Sequence, residues 1–333
     1  MLNKTTLTPL IAPRDLSADT RARLDVLTEE LASGRFADIG RALSSDFSTF
    51  SRISHALRTQ DARQGALSRA GTWLDSVQTA MSSIQSIGSR VTEGLTSALA
   101  PGGSGQVDEI AATASGALTD IAVAIGYKLG GRAVFANGDP SGRPPVDIDA
   151  LVSETIALAT SATDVSELLQ AFDDYFATGG GFETNVLSAY PADPTLFPLG
   201  GGMSLSIPVA AGDMSIRDAL KQTALIASLP DAGFEIDDTA RTMLSRELPV
   251  RASMVVSGLV STQAELGGVQ ARVSQFLDTL GTERAKLEAR KSEAVGADPF
   301  QTAAKVQAEM TRLETIYSVT ARRANLRLTD YLR

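Results

Sequence analysis

The chain has 333 residues, of which 43% are apolar and 21% are charged, a composition typical of a folded protein with room for two or three domains. Its formal net charge of −9 disfavours nonspecific binding to nucleic acid, and the lack of cysteine excludes disulfides, thiolate metal sites and cysteine nucleophiles. No stretch approaches the roughly 18 apolar residues of a membrane span, and the start of the chain lacks the features of a cleaved secretory signal.

The N-terminal segment predicts an irregular stretch followed by a helix. Pro9 and Pro13 oppose a regular helix over residues 1–16. Ser17 is a suitable N-cap, and Gly34 is a suitable residue for the end of the helix. Apolar side chains recur between them at steps of three and four residues, which predicts one apolar stripe. The stripe consists of Leu24, Leu27 and Leu31.

Two further helices are predicted before residue 130. From about residue 47 to 99, apolar residues follow a heptad-like rhythm that predicts a long packed helix. The glycine-rich stretch at 101–105 breaks it. A helix over about 107–129 then follows, and it should fold back on the long helix as an antiparallel hairpin. Residues 130–149 are strand-like at first and then rich in turn residues.

A strongly acidic block occupies the middle of the chain. Residues 145–246 hold 15 Asp and Glu against 4 Lys and Arg, a local charge of −11. The block mixes helical segments, such as 165–176 and 215–229, with the alternating strand pattern of 203–209. We therefore predict a small acidic α+β module inserted between long helices.

Long helices return in the C-terminal part. One is predicted from about residue 250 to 287, and the last begins near Pro299, a residue that suits the first helical turn. The last helix repeats apolar residues at steps of three and four almost to its end. Its predicted assembly residues are Val306, Met310, Leu313, Tyr317, Ala324, Leu328, Tyr331 and Leu332.

The residues that carry catalytic chemistry do not combine into a site. The one histidine, His55, has no partner at triad spacing. Glycine clusters at 179–182 and 200–203 do not match a phosphate-binding loop. "NGDPSG" at 137–142 matches the start of a calcium loop but lacks its closing glutamate, so we predict a turn. The acidic pairs at 173–174 and 237–238 are interpreted as solvated faces. We predict no catalytic residue, no metal, no cofactor and no enzymatic activity.

Both ends of the chain resemble the bacterial flagellin family. "DPFQTAAKVQAEMTRLETIYSVTARRANLRLTDYLR" (298–333) is similar to the family's C-terminus, and "AELGGVQARVSQFLDTL" (264–280) resembles its C-terminal core helix. "LTEELASGRF" (27–36) stands where the family has a helix followed by a turn. "GGRAVFANGDPSGRPPV" (130–146) is most similar to the hook-associated members of the hook–filament junction.

The resemblance and the periodicity together predict the domain organisation. The fold class is mainly α, with a long-helix, coiled-coil-like bundle built from both chain ends and an inserted small α+β, β-rich outer domain. Residues 1–45 and 288–333 form the inner assembly helices. Residues 46–145 and 241–287 form the helical core, and residues 146–240 form the outer domain.

The resemblance implies a structural subunit at the hook–filament junction that assembles through its terminal helices. Its partners would be copies of itself in a ring, the neighbouring hook-associated protein, flagellin and an export chaperone, with no nucleic acid and no membrane. Its location would be the extracellular flagellum, reached by type III export without a cleaved signal. Two alternatives stay open at this point: flagellin itself, which forms the filament, and a coiled-coil signalling or adaptor protein.

Overall fold

The computed structural model describes residues 13–43, 47–100, 106–135, 144–188, 195–200, 203–207 and 209–331. These residues form helices joined by short connections and two antiparallel hairpins. The helices are α1 (Pro13–Ser33), α2 (Ile39–Ala42), α3 (Phe47–Ala98), α4 (Val107–Ile125), α5 (Ile148–Ser161), α6 (Val165–Tyr175), α7 (Met214–Ala227), α8 (Asp238–Val295) and α9 (Pro299–Tyr331). The strands are β1 (Lys128–Leu129), β2 (Arg132–Ala133), β3 (Thr195–Gly200) and β4 (Met203–Ile207).

The predicted fold class is confirmed. Long helices dominate the described residues, and the strands form two sheets of two strands each, β1 with β2 and β3 with β4. Both sheets are antiparallel hairpins, and the register of β3 on β4 shifts near Gly200. A π-helical turn at Phe182–Val186 and a short 3₁₀ turn at Leu229–Asp231 complete the insert.

The chain divides into two compact units. The first consists of Met1–Gln60 and Gly281–Arg333, so it is built from both chain ends, and the second is Asp61–Leu280. In the first unit, Gln60 Nε2 donates to Glu283 Oε2 at 2.7 Å, and the Lys291 ammonium lies 5.7 Å from the ring centre of Phe50. The predicted division into inner, core and outer domains is finer than these two units and stays a prediction.

The second unit has a helical core along α3. The apolar residues of α3 are buried because their heptad-like spacing keeps them on one side of the helix. Polar side chains fix the neighbouring helix: Gln270 of α8 donates to Asp75 at 2.7 Å, and Gln263 of α8 donates to Ser82 at 3.3 Å. The two helices therefore run antiparallel. The fully buried α3 residues at the centre of the core are Ala70, Leu74, Val77, Met81 and Ile84.

The inserted segment is positioned by helix caps and by an aromatic contact. Asp147 accepts the amide of Ala150 at the start of α5, and Asp164 accepts the amide of Glu167 at the start of α6. The ring of Phe197 in β3 meets the ring of Trp73 in α3 edge to face, with centres 5.6 Å apart. The β3–β4 hairpin is thereby attached to the long helix.

A charged cluster holds three helices of the second unit together. Arg251 of α8 donates two hydrogen bonds to the carboxylate of Asp173 on α6, at 2.8 and 2.9 Å, and Lys221 of α7 donates a third at 3.1 Å. Burial would raise the pKa of Asp173, but these hydrogen bonds outweigh it and hold the pKa below its ordinary value. The interpretation of Asp173 as part of a solvated face is therefore wrong, because cations from two other helices converge on it.

Helix α8 begins earlier than the sequence predicts. It starts at Asp238, twelve residues before the predicted start near 250, and it contains Pro249. A proline inside a helix removes one hydrogen bond and crowds the preceding turn. The helix continues because Leu244 and Leu248 are buried on one side of this proline and Val255 on the other. Packing on both sides outweighs the local preference for a break.

Candidate assembly surface

The first terminal helix, α1, begins and ends at residues with fixed backbone preferences. It starts at Pro13, whose ring suits the first helical position, so the expected irregular stretch through residue 16 is shorter than predicted. Residues 1–12 lie outside the described residues. The helix ends at Ser33, and the next residue, Gly34, has a φ of 67°, a conformation that glycine adopts without strain. The Gly34 amide donates to the carbonyl of Glu30 at 2.9 Å. The predicted end of this helix is confirmed.

The last helix, α9, is started by its own sequence. Asp298 accepts the amides of Phe300 at 2.9 Å and Gln301 at 3.3 Å, which satisfies two donors that have no partner within the helix. Pro299 occupies the first helical position, as predicted. The aspartate–proline pair thus separates α8 from α9 at a defined point.

A short backbone ladder joins the end of α1 to the start of α9. The amide of Phe36 donates to the carbonyl of Val295 at 3.1 Å, and the amide of Ala297 donates to the carbonyl of Gly34 at 3.0 Å. Arg35 and Gly296 form an antiparallel bridge between these two bonds. The ladder sets the register from which the two helices run side by side.

From this ladder, α1 and α9 run antiparallel. Arg23 lies 4.0 Å from Glu309, and farther from the ladder Arg21 donates to the hydroxyl of Tyr317. Residues of decreasing number on α1 therefore lie opposite residues of increasing number on α9, as in any antiparallel pair. The Arg21 Nε–Tyr317 Oη distance is 2.9 Å, and a second donor of the same guanidinium, Nη2, also reaches this oxygen.

The partly buried residues form one stripe on each helix. On α1 the buried Thr20 is followed by the half-buried Leu24 and Leu27. On α9 the buried Thr302 is followed by half-buried positions at 306, 309, 313 and 316. Steps of three and four place each set on one face, so the two stripes face each other.

The predicted assembly residues fall into three groups. Leu24, Leu27, Val306 and Leu313 are half-buried and belong to the two facing stripes. Leu31, Met310 and Tyr317 are exposed. The side chains of Ala324, Leu328 and Tyr331 and the whole of Leu332 lie outside what the structure describes. Contact with other chains through any of these residues stays a prediction.

The residues of the pairing face that the sequence analysis missed include Thr20, Thr302, Glu309 and Ile316. Ile316 is half-buried in the α9 stripe, three residues after Leu313, and the same three-residue step could have found it. Thr20 is buried on α1, and its hydroxyl donates a hydrogen bond to the carbonyl of Leu16 at 2.8 Å. A threonine is not recognised by a search for apolar residues, although its methyl group packs like one.

The part of the chain that the structure describes contains no cluster of three or more His, Asp or Glu residues that could hold a metal ion. The segment "NGDPSG" at 137–142 lies outside the described residues, so the turn there stays a prediction. None of the described helices is long and apolar enough to cross a membrane.

Comparison with known proteins gives a family-model match for the C-terminal part and similarity in fold to solved structures. Residues 253–332 match the family model of the bacterial flagellin C-terminal helical region, which confirms the family resemblance. The chain is similar in fold to the crystal structure of Bacillus cereus FlgL, with a TM-score of 0.51 and 13% sequence identity, over 72% of this chain and 98% of that chain. No curated protein matches the sequence.

Proposed function

We propose that this chain, whose residues 253–332 match the family model of the bacterial flagellin C-terminal helical region, is a structural subunit of the bacterial flagellum at the hook–filament junction. The observation that carries the proposal is the first unit itself. Two chain ends form an antiparallel helix pair, and the family match includes the whole of α9. The subunit assembles through this pair.

The helix pair leaves apolar side chains on its outside. Phe300, at the start of α9, is 88% exposed, and Met310 and Val319 are exposed on the same helix. On α1, Val26 and Leu31 are exposed as well. Each such side chain contributes about 1.5–3 kcal/mol when a partner buries it fully. A set of exposed apolar groups on a two-helix pair marks a surface for further packing.

The partners follow from this surface and from the family. Copies of the same chain pack α1 and α9 side by side in a ring. The ring contacts the neighbouring hook-associated protein on one side and flagellin on the other. Before assembly, an export chaperone covers the apolar face of α9. The subunit is exported from the cell and resides in the extracellular flagellum.

A junction role is preferred to a filament role for two reasons. One solved structure with a similar fold is that of Bacillus cereus FlgL, and the similarity covers 98% of that chain. The stretch at 130–146 is also most similar to the junction members of the family. A coiled-coil adaptor is disfavoured because the segment between the long helices folds into α5–α7 and the β3–β4 hairpin.

Immunogold labelling of intact cells tests the proposal. An antibody against residues 146–240 should label a narrow zone between the hook and the filament. Cells that lack the gene provide the control for specificity. Label along the whole filament would replace the junction role by that of flagellin. Label absent from flagella would overturn the proposal altogether.

A further inference from the structure

A concave surface lies between α3 and α4 in the second unit. It encloses a cavity of about 520 Å³. Its floor includes the buried Ala80 and Ile87, and its rim includes Val123, which is 68% exposed, and the exposed Tyr127. The described lining residues hold two carboxylates and no Lys or Arg. We call this surface the α3–α4 groove; its acidic members are Asp75 and Asp120.

A convex apolar surface lies on α8 of the same unit. Met243, Val250 and Met254 are exposed, with Met254 at 64%. Their spacing of seven and four residues places them on one side of the helix, away from the buried Leu244 and Leu248. We call these three residues the α8 ridge. Methionine side chains are flexible and polarisable, so they adapt to an irregular groove.

The charges around the two surfaces complement each other. Arg246 lies between Met243 and Val250, and its side chain is largely exposed, with Glu247 3.7 Å away. Arg272 is exposed about five helical turns beyond Met254 and so lies on the same side of α8. The groove offers Asp120 and Asp75, although Asp75 already accepts a hydrogen bond from Gln270. Opposite charges favour one orientation of the ridge in the groove.

We propose that the α8 ridge of one copy packs into the α3–α4 groove of the next copy. This inference rests on the proposed function, because it requires the chain to assemble with copies of itself. The two surfaces lie on different helices and have different shapes, so the contact is head to tail. A head-to-tail contact between identical chains repeats and closes into a ring or continues as a helix. It adds a second contact to that of the terminal helices.

Cysteine crosslinking in assembled flagella tests this contact. The native chain has no cysteine, so introduced thiols are the only ones. The test variant carries Val123→Cys and Met254→Cys together. The matched control carries Val123→Cys and Val260→Cys, because Val260 is 49% exposed on another face of α8. A short bismaleimide is added to isolated flagella, and the products are separated by denaturing electrophoresis and detected by immunoblot.

The expected result is a ladder of dimers and higher species for the test variant, several-fold stronger than for the control. Each single variant should stay monomeric, because a head-to-tail contact never brings two identical positions together. The inference is overturned, and the proposed function stands, if the test variant is present in flagella but gives no ladder. The same conclusion follows if the control variant with Val260→Cys gives a ladder as strong as that of the test variant. If the chain is absent from flagella, both are overturned.

Discussion

The guanidinium of Arg21 on α1 donates a hydrogen bond to the hydroxyl of Tyr317 on α9, with Nε 2.9 Å from the oxygen. The guanidinium carbon lies 5.6 Å from the centre of the same ring. One arginine thus uses both the polar and the aromatic part of one tyrosine. Tyr317 is predicted to contact other chains, and this contact gives it a role within its own chain as well.

Replacing Tyr317 by Phe should loosen the helix pair slightly. Tyr317→Phe removes the hydroxyl that Arg21 bonds and keeps the ring, so the local free energy of opening should fall by about 0.5–1 kcal/mol. Amide hydrogen exchange of α1 in the monomer should become about two- to fivefold faster. Tyr127→Phe is the control, because Tyr127 is similarly exposed but lies after α4 in the other unit. Unchanged exchange of α1 would contradict the role of this contact.

Substitutions on the two sides of the helix pair should separate pairing from assembly. Leu27→Ser removes a half-buried side chain of the pairing stripe and should destabilise the α1–α9 pair by about 1–2 kcal/mol. Met310→Ser removes an exposed side chain and should leave amide exchange of the monomer unchanged. Both variants should reduce the amount of chain in isolated flagella, measured by immunoblot. The assignment of Met310 to the outer face fails if Met310→Ser accelerates monomer exchange as much as Leu27→Ser.

The charged cluster at Asp173 predicts a pH dependence of stability. The pKa of Asp173 is lowered in the folded state, so the carboxylate binds its proton more weakly than in the unfolded chain, where its pKa is about 3.9. Its contribution is therefore present above about pH 4 and is lost as the pH falls through the lower, folded value. Because its side chain is 35% exposed, Asp173→Asn should cost only about 1 kcal/mol at pH 7.

Urea unfolding at several pH values measures this contribution. The difference in unfolding free energy between the native chain and Asp173→Asn should be constant from pH 7 to pH 5 and should shrink below pH 4. Asp174→Asn is the control, because it makes the same charge change at the next residue. The Asp174 carboxylate is exposed and accepts one hydrogen bond from Gln170. This variant should change the unfolding free energy little, because an exposed carboxylate contributes little to stability. Equal effects of the two variants would show that the cluster does not stabilise the fold.

Helical periodicity predicted most of the architecture from the sequence. The long helix α3 lies within one residue of its predicted bounds, and α9 begins at Pro299 as expected. These elements are set by local signals: apolar steps of three and four, a proline at the first position and an aspartate before it. The start of α8 was missed because packing on both sides of Pro249 overrides a local break.

The candidate surface was only partly predictable. Apolar spacing found Leu24, Leu27 and Leu313, which are half-buried in the pair. It could not find Arg21 or Glu309, because their roles depend on which residue lies opposite on a helix almost 300 positions away. The cations that converge on Asp173 come from α7 and α8, and no spacing along α6 indicates them. Contacts between distant segments require the register that only the folded chain supplies.

Replacement of glycine by alanine should have opposite effects on the unfolding free energy at two positions. Gly233 precedes α8, and a Cβ there would lie 2.4 Å from the carbonyl oxygen of Thr160 and 2.6 Å from that of Ala162. The Gly233 amide also donates to the carbonyl of Ala159 at 3.0 Å, so the segment is held tightly against the end of α5. Backbone oxygens cannot move aside as a flexible side chain does. Gly233→Ala should therefore lower the unfolding free energy by about 1–3 kcal/mol.

Gly116→Ala is the matched control within the same unit. Gly116 lies inside α4, where an added Cβ meets nothing within 4 Å, and alanine favours a helix over glycine. This variant should raise the unfolding free energy by about 0.5–1 kcal/mol. Urea unfolding of both variants gives the two signs in one experiment. A Gly233→Ala chain as stable as the native one would mean that the segment before α8 does not press against the end of α5, because only that close approach makes the extra methyl group costly.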